Sequence, residues 1–336
     1  MLEDNYRPWG TLDWVIDRLS SGRKWSFLSC LSYEERSLAA LEILVNGKCL
    51  NSVDFLNIKD PHSRFTKRID ELTAIHQKKF LKLSNSLGKL TQADLFSTDE
   101  DIVKYIDHII SSSGGNIILD ISSFPKRFFF PFVKRILQGK VNNFIVTYTC
   151  PSSYSQQELA EKPGPWEKLP LFGPIQYPDP ALKLIIVGIG YLALGLPDVI
   201  KSNFNDIDVE MLFPFPPGPP SYQRNWSVVL KLEKEISVNS GENRKEPIRV
   251  SAKDVSETFN HIEALTNGGE RNTLFAPFGP KPISLAMCLH AFKTGAPVFY
   301  TQPSVYNPDY SHGISRCNGK YETYAYCIKL NNKQYY

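Results

Sequence analysis

An α/β architecture is expected, built as two tandem, related domains with mainly parallel sheets. Three features predict it. A seven-residue pattern, Y-T-x-P-S-x-Y, occurs at Tyr148–Tyr154 and again at Tyr300–Tyr306, an offset of 152. Shorter matches follow in the same order at nearly the same offset: His108-Ile109 with His261-Ile262 (153), Gly114-Gly115 with Gly268-Gly269 (154), and Pro125-Lys126 with Pro280-Lys281 (155). Apolar strand-like runs also alternate with amphipathic helical ones in each half, the signature of β-α-β units. Near-constant offsets at four sites point to internal duplication.

The pattern in copy one begins with Trp25–Leu31, an apolar strand. Ser32 and Glu35 have the spacing of a capping box opening a helix that ends near Gly47. Val53–Ile58 reads as the next strand and Phe65–Leu83 as a long amphipathic helix. Asp101–Ser111 is a helix stopped by Gly114-Gly115, and Asn116–Ile121 a buried strand. Lys126–Leu137 is a helix containing Pro131, and Phe144–Thr149 the last strand. Copy two repeats the order. Strands are expected at Leu182–Val187, Val209–Phe213, Ile248–Ser251, Thr273–Ala276 and Pro297–Thr301. Helices are expected after the first strand and at Trp226–Ile236, Asp254–Leu265 and Ser284–Thr294. The expected organisation is an N-terminal helical segment (1–24), Rossmann-like copy one (25–155), a linker rich in Pro and Gly (156–181) and Rossmann-like copy two (182–310). A tail (311–336) follows, with Tyr321–Leu330 alternating like an edge strand.

Composition narrows the function classes. The 336 residues carry 42% hydrophobic and 22% charged side chains, as a soluble globular protein does. A net charge of +3 gives no global field for DNA or RNA. Met1–Gly10 has no apolar core of a secretory signal, and the longest apolar run, Leu184–Leu196, is too short and glycine-broken to span a bilayer. The six cysteines (30, 49, 150, 288, 317 and 327) form no C-x-x-C pair and read as reduced thiols. A cytoplasmic location without membrane or nucleic-acid partners is expected.

In open α/β sheets a ligand lies at the carboxyl ends of the strands, near the switch point in strand order. The Pro-Lys loops are the most informative. Copy one reads Asp120-Ile121-Ser122-Ser123-Phe124-Pro125-Lys126-Arg127, and copy two Phe278-Gly279-Pro280-Lys281, each followed by an apolar helix. Proline suits the first helical turn, and the free N–H groups there attract an anion. A lysine at that turn opposes the helix dipole unless an anion sits beside it. Ser122, Ser123, Lys126, Arg127 and Lys281 are therefore candidate contacts to a phosphate. The alternative is a solvated lysine carried along by duplication. In the Y-T-x-P-S-x-Y loops Tyr154 and Tyr306 offer faces for stacking and hydroxyls for a ribose or phosphate. The alternative there is a proline-shaped turn packed on the sheet.

The loop after the first strand has diverged. Copy one carries Tyr33, Glu34, Glu35 and Arg36; copy two carries Gly188, Gly190, Tyr191, Leu192 and Ala193. Tyr33 and Arg36 are candidate ligand contacts, and Glu34 and Asp120 candidate acid/base carboxylates. The alternatives are a helix cap at Glu35 and a salt bridge or cap at Asp120. Copy one is the expected seat of any chemistry. Gly188-Ile189-Gly190-Tyr191-Leu192-Ala193 fits G-x-G-x-x-A, with Asp208 about 20 residues on. Asp208 nevertheless precedes its apolar run instead of ending it, and Pro197 interrupts the helix, so no nicotinamide cofactor is expected. Phosphate-binding Walker, G-x-S-x-G and H-E-x-x-H patterns are absent, and the six histidines show no metal spacing.

The sequence of strand, Ser/Gly loop, lysine and helix at Ser122–Lys126 and Phe278–Lys281 resembles the CARF-type Rossmann-like sensor domains. The Thr-Gly-Gly element often seen in that family has no counterpart here. The resemblance implies that Lys126 and Lys281 are phosphate contacts and that the fused copies replace a dimer, and it leaves open a stand-alone sensor, a ligand-cleaving enzyme, or a subunit of a larger system with a protein partner or effector subunit. The expected function is binding of a phosphate-bearing, nucleotide-type ligand as a sensor or regulatory subunit. The alternatives are an enzyme acting on a nucleotide or related phosphate ester (a hydrolase or glycosidase), and a structural protein with relic sites.

Overall fold

The computed structural model describes residues 6–19, 22–155, 160–173, 181–190, 207–215, 226–227, 229–230, 234 and 246–336. The chain forms two compact units. One comprises residues 1–155 and 305–336, the other residues 156–304.

In chain order the first unit opens with β1 (Trp9–Thr11), α1 (Leu12–Leu19), β2 (Trp25–Leu31) and α2 (Ala39–Asn46). It continues with β3 (Leu50–Lys59), α3 (Thr66–Ser84), β4 (Gly88–Asp94), α4 (Asp99–Ser112), β5 (Asn116–Asp120), α5 (Lys126–Gln138), β6 (Asn143–Thr149) and the short β7 (Ser153–Tyr154). The second unit contributes β8 (Ala160–Lys168), β9 (Leu184–Gly188), β10 (Asp208–Phe215), β11 (Ile248–Ser251), α6 (Val255–Leu265), β12 (Thr273–Pro277), α7 (Lys281–Thr294) and all but the last two residues of β13 (Phe299–Tyr306). The chain closes with β14 (Ser311–His312), β15 (Arg316–Cys317), β16 (Lys320–Tyr321), β17 (Thr323–Leu330) and β18 (Lys333–Gln334).

The first unit is a mixed α/β fold on a large, mainly parallel sheet. Its strand order is β1-β17-β6-β5-β2-β3-β4, with the run from β6 to β4 parallel throughout. All seven residues of β2 and of β6 are buried, as expected of strands covered on both faces. One face holds a cluster that includes Leu12, Trp25, Phe27, Leu41, Phe55 and Phe80, with the rings of Phe55 and Phe80 4.6 Å apart. On α5, Phe132 stacks against Tyr105 of α4 and meets Phe124 edge-on. Thr98 caps α4 by accepting from the Asp101 N–H.

Three expectations change. Residues 156–181, read as a linker, contain β8, which pairs with β13. The C-terminal tail supplies β17, but not as an edge: it runs antiparallel between β6 and β1. Ala325, Tyr326, Cys327 and Ile328 are buried in succession, as an interior strand requires, and the shorter alternation at its ends concealed this. The capping box at Ser32 and Glu35 does not form. The Ser32 hydroxyl accepts from the Glu34 N–H in a tight turn, Glu35 stays exposed, and a single 3-10 turn precedes α2.

The sheet of the second unit runs β11-β10-β9-β12, all parallel, and a parallel bridge joins Phe275 of β12 to Val298 at the start of the last strand. Numbered within each unit, both parallel sheets share the order 3-2-1-4; in the first unit β6 adds a fifth strand, and in the second only the Phe275–Val298 bridge stands in that place. Asp254 caps α6 by accepting from the Ser256 and Glu257 N–H groups. The expected helix following β9 falls in 191–206, outside the described residues, as does most of Trp226–Ile236.

Candidate functional site

The first unit's switch point lies between β2 and β5, where β3 continues the sheet on one side and β6 on the other. Asp120 ends β5 at this place. It is fully buried, and three hydroxyls converge on its carboxylate: Ser29 Oγ at 3.1 Å, Ser122 Oγ at 2.6 Å and Thr147 Oγ1 at 3.0 Å. The Ser122 hydroxyl also accepts from the Thr149 N–H at 2.8 Å. Ser123 donates to the Cys30 carbonyl at 2.8 Å. Asp120 thus ties together the ends of β2, β5 and β6. Its carboxylate has no solvent-facing surface and Ser122 is equally buried, so the two brace this network.

Beside this network runs the loop that follows β2. Arg36 Nε lies 2.8 Å from Glu34 Oε2, and its Nη1 donates to the Thr149 carbonyl at 3.2 Å. The guanidinium carbon stands 5.7 Å from the centre of the Tyr148 ring. Burial alone would lower the Arg36 pKa, but Glu34, then Tyr148 and Tyr154, raise it, so the group stays charged. Glu34 accepts further from Ser311 Oγ of β14, the strand paired with β7. Tyr154, on β7, hydrogen-bonds Tyr148 through its hydroxyl and lies 5.1 Å from the Tyr310 ring. His76 Nδ1 is 2.7 Å from the Ser32 carbonyl, so that nitrogen carries the proton and α3 holds the loop. Glu34 is engaged as an ion-pair partner, not poised as an open base.

Two ionisable side chains at this end of the sheet are strongly perturbed. Lys126 is the first residue of α5, after Pro125, and burial pushes its ammonium down to about 7. Asp60 follows β3 directly, and burial pushes its carboxyl up to about 6, with Lys59 pulling the other way. Burial, then Glu34 and Asp60, raise the Tyr33 phenol well above the ordinary range. Arg127 points its guanidinium elsewhere, donating to the Ser97 carbonyl at 3.2 Å and lying over Phe96. It braces the start of α4.

Of the sequence candidates, Tyr33, Glu34, Arg36, Asp120, Ser122, Ser123, Lys126 and Tyr154 gather around the carboxyl ends of the first unit's strands. Sequence reading missed Asp60, Tyr148, His76 and Ser311. Asp60 alone had a usable signal, an acid directly following a strand. Ser311 arrives only through the returning tail.

In the second unit Lys281 opens α7 after Pro280, repeating the position of Lys126 on its helix. Tyr306 ends strand β13, so the second Y-T-x-P-S-x-Y pattern is extended chain where a loop was expected. The glycine pattern has a structural cause. A Cβ at Gly190 would overlap the Phe278 carbonyl, and one at Gly188 would press on Gly279 and Met287, so these glycines allow two backbone segments to touch. Asp208 starts β10 and pairs with Arg271, opposite Leu184 at the start of β9. It stands at the amino end of the sheet, away from any ribose site. Tyr191–Ala193 lie outside the described residues.

Among the described residues no group of three His, Cys, Asp or Glu side chains could hold a metal ion, and no helix is long and apolar enough to cross a membrane. The six cysteines are free thiols.

No family model matches the chain. No curated protein matches it either. Among solved structures, a universal stress protein from Archaeoglobus fulgidus is similar at 11% identity and a TM-score of 0.25, covering 84% of this chain and 97% of that one. A functionally unknown protein from Pseudomonas aeruginosa is similar at 9% identity and a TM-score of 0.23, covering 83% and 92%. RipA from Yersinia pestis is similar at 12% identity and a TM-score of 0.24, covering 94% and 86%. Likeness at these scores carries no argument about fold or function.

Proposed function

We propose that the first unit binds a phosphate-bearing, nucleotide-type ligand at the carboxyl ends of its parallel strands, and that the protein acts as a sensor or regulatory subunit. The observation that carries this reading is Lys126. A half-buried lysine at a helix N-terminus faces both desolvation and an unfavourable helix dipole, and desolvation depresses its ammonium to about 7. A phosphate at that terminus reverses both effects: the helix dipole favours it, and its charge restores the charge on Lys126. Tyr33 and Tyr154 supply aromatic surface at the same end of the sheet.

Binding is favoured over turnover because the expected carboxylates are engaged. Asp120 accepts from three hydroxyls, and Glu34 from Arg36 and Ser311. Internal duplication is part of the same reading, supported by the common 3-2-1-4 order and by the matching Pro-Lys starts of α5 and α7. A CARF-like role for Lys126 and Lys281 as paired phosphate contacts, with an effector subunit as partner, remains within this proposal.

The test is mass spectrometry of small molecules released from the denatured purified protein, followed by calorimetric titration of whatever is found. Loss of binding in Lys126→Ala, with a weaker effect of Lys281→Ala, is the expected result. Full binding by the double variant would refute the reading. Conversion of the ligand during incubation would favour the enzyme.

A further inference from the structure

We propose that the first unit pairs with a second copy of this chain through strand β4, antiparallel about a two-fold axis at Thr91. The interface is independent of the ligand reading above.

The backbone of β4 carries the argument. This strand ends the sheet and pairs with β3 alone. A parallel ladder uses the N–H and C=O groups of alternate residues. Leu95 donates to the Lys59 carbonyl, so the odd-numbered residues of β4 turn their groups to β3. Gly88, Leu90, Gln92 and Asp94 turn theirs outwards. Both ends of this row are closed locally: the Gly88 N–H donates to the Asn85 carbonyl, and the Asp94 N–H and carbonyl both bond Ser97. Leu90 and Gln92 remain, each presenting an N–H and a C=O with no partner among the described residues. None of the seven residues of β4 is buried, so the edge is open.

These groups are complementary to themselves. With the axis at Thr91, Leu90 lies opposite Gln92 of the second copy, and each such pair exchanges two N–H···O bonds. The charges fit the same arrangement. On the α4 side of the sheet, the amino end of the edge holds Lys89, 2.8 Å from His108 Nε2. The carboxyl end holds the start of α4, with Asp99, Glu100 and Asp101. An antiparallel copy sets each end against its opposite, which an unrelated strand has no reason to do. Apolar surface lies there too. Leu87 precedes β4 directly, and Leu81 stands one turn before Ser84, on which Gly88 packs; both leucines are exposed. In the pair Leu87 comes beside the Leu95-Phe96 segment of the second copy, where Phe96 is exposed. Edges are often guarded by a lysine, a proline or a bulge. Lys89, the one cation of β4, is drawn aside to His108, and the strand has neither a proline nor a shift in register.

The test is sedimentation velocity of the full chain over a dilution series, with amide hydrogen exchange read at Leu90 and Gln92. A reversible dimer is expected, with both amides exchanging more slowly as concentration rises. Gln92→Pro leaves the ladder to β3 intact, since an edge strand tolerates proline where its N–H faces out, but it removes one donor from each copy. It should weaken dimerisation by about tenfold or more. The double variant Leu81→Asp/Leu87→Asp changes only exposed positions, should weaken the dimer likewise, and serves if the proline variant melts early. A chain that sediments as a monomer throughout overturns the proposal. So does a dimer that both variants leave unchanged, or one whose Leu90 and Gln92 amides exchange as fast as in the monomer. Slower exchange that appears only when another protein is added also overturns it, by assigning the edge to a different occupant.

Discussion

Glu34 and Arg36 form an ion pair sealed into the carboxyl end of the first unit's sheet, with side chains 13% and 8% exposed and 2.8 Å between Oε2 and Nε. Removing one member leaves the other charge buried without its counterpart, which costs more than the intact pair contributes. Arg36→Met is expected to destabilise the first unit by about 3 kcal/mol. The double variant Glu34→Gln/Arg36→Met should be more stable than the sum of the single changes implies, as coupled neighbours are. Urea unfolding of the three variants measures this, and simple additivity would rule the coupling out.

Lys126 makes stability depend on pH. Its folded ammonium titrates near 7 and its unfolded one near 10.5. Between those values the unfolded chain holds the extra proton, so stability rises as pH climbs from 7 towards 10.5, and the whole cost is present below 7. Lys126→Met is expected to be more stable than the wild type at pH 6 and to lack this rise. Parallel denaturation profiles of the two proteins between pH 6 and 10 would contradict the assignment.

The Asp120 network predicts a structural phenotype. Asp120→Asn keeps the shape but turns an N–H₂ towards hydroxyls that now donate to oxygen, leaving buried groups mismatched. A loss of about 2 kcal/mol is expected, and about 1 kcal/mol for Ser122→Ala. Hydrogen exchange of the Thr149 amide, which donates to Ser122, should quicken in both; unaltered protection would show that the network does not hold β6 in place.

At Gly190 a methyl group meets a backbone carbonyl that cannot turn away. Gly190→Ala is expected to cost about 3 kcal/mol in the second unit. Gly114→Ala, where space is open but φ is +62°, should cost only about 1 kcal/mol in the first. Thermal unfolding with limited proteolysis distinguishes them, and a Gly190→Ala protein as robust as Gly114→Ala would refute the close approach.

The sequence alone determined the α/β alternation, because burial on both faces makes strands such as β2, β5 and β6 continuously apolar and helices such as α3 and α4 periodic. It also placed Lys126 and Lys281 at helix starts, since proline marks a first turn by local geometry. Strand β4 escaped because its sequence, Gly88–Asp94, is mostly polar, as an edge strand can be. Tertiary structure decided the rest, by bringing distant segments together. Only folding shows that β17 returns to lie beside β6, that Ser311 reaches Glu34, and that Asp120 is closed off by hydroxyls from β2 and β6. Whether a carboxylate braces a fold or faces a cleft depends on which donors surround it in space. Asp60 and Asp120 are both aspartates at strand ends, and only their neighbours in the fold tell them apart.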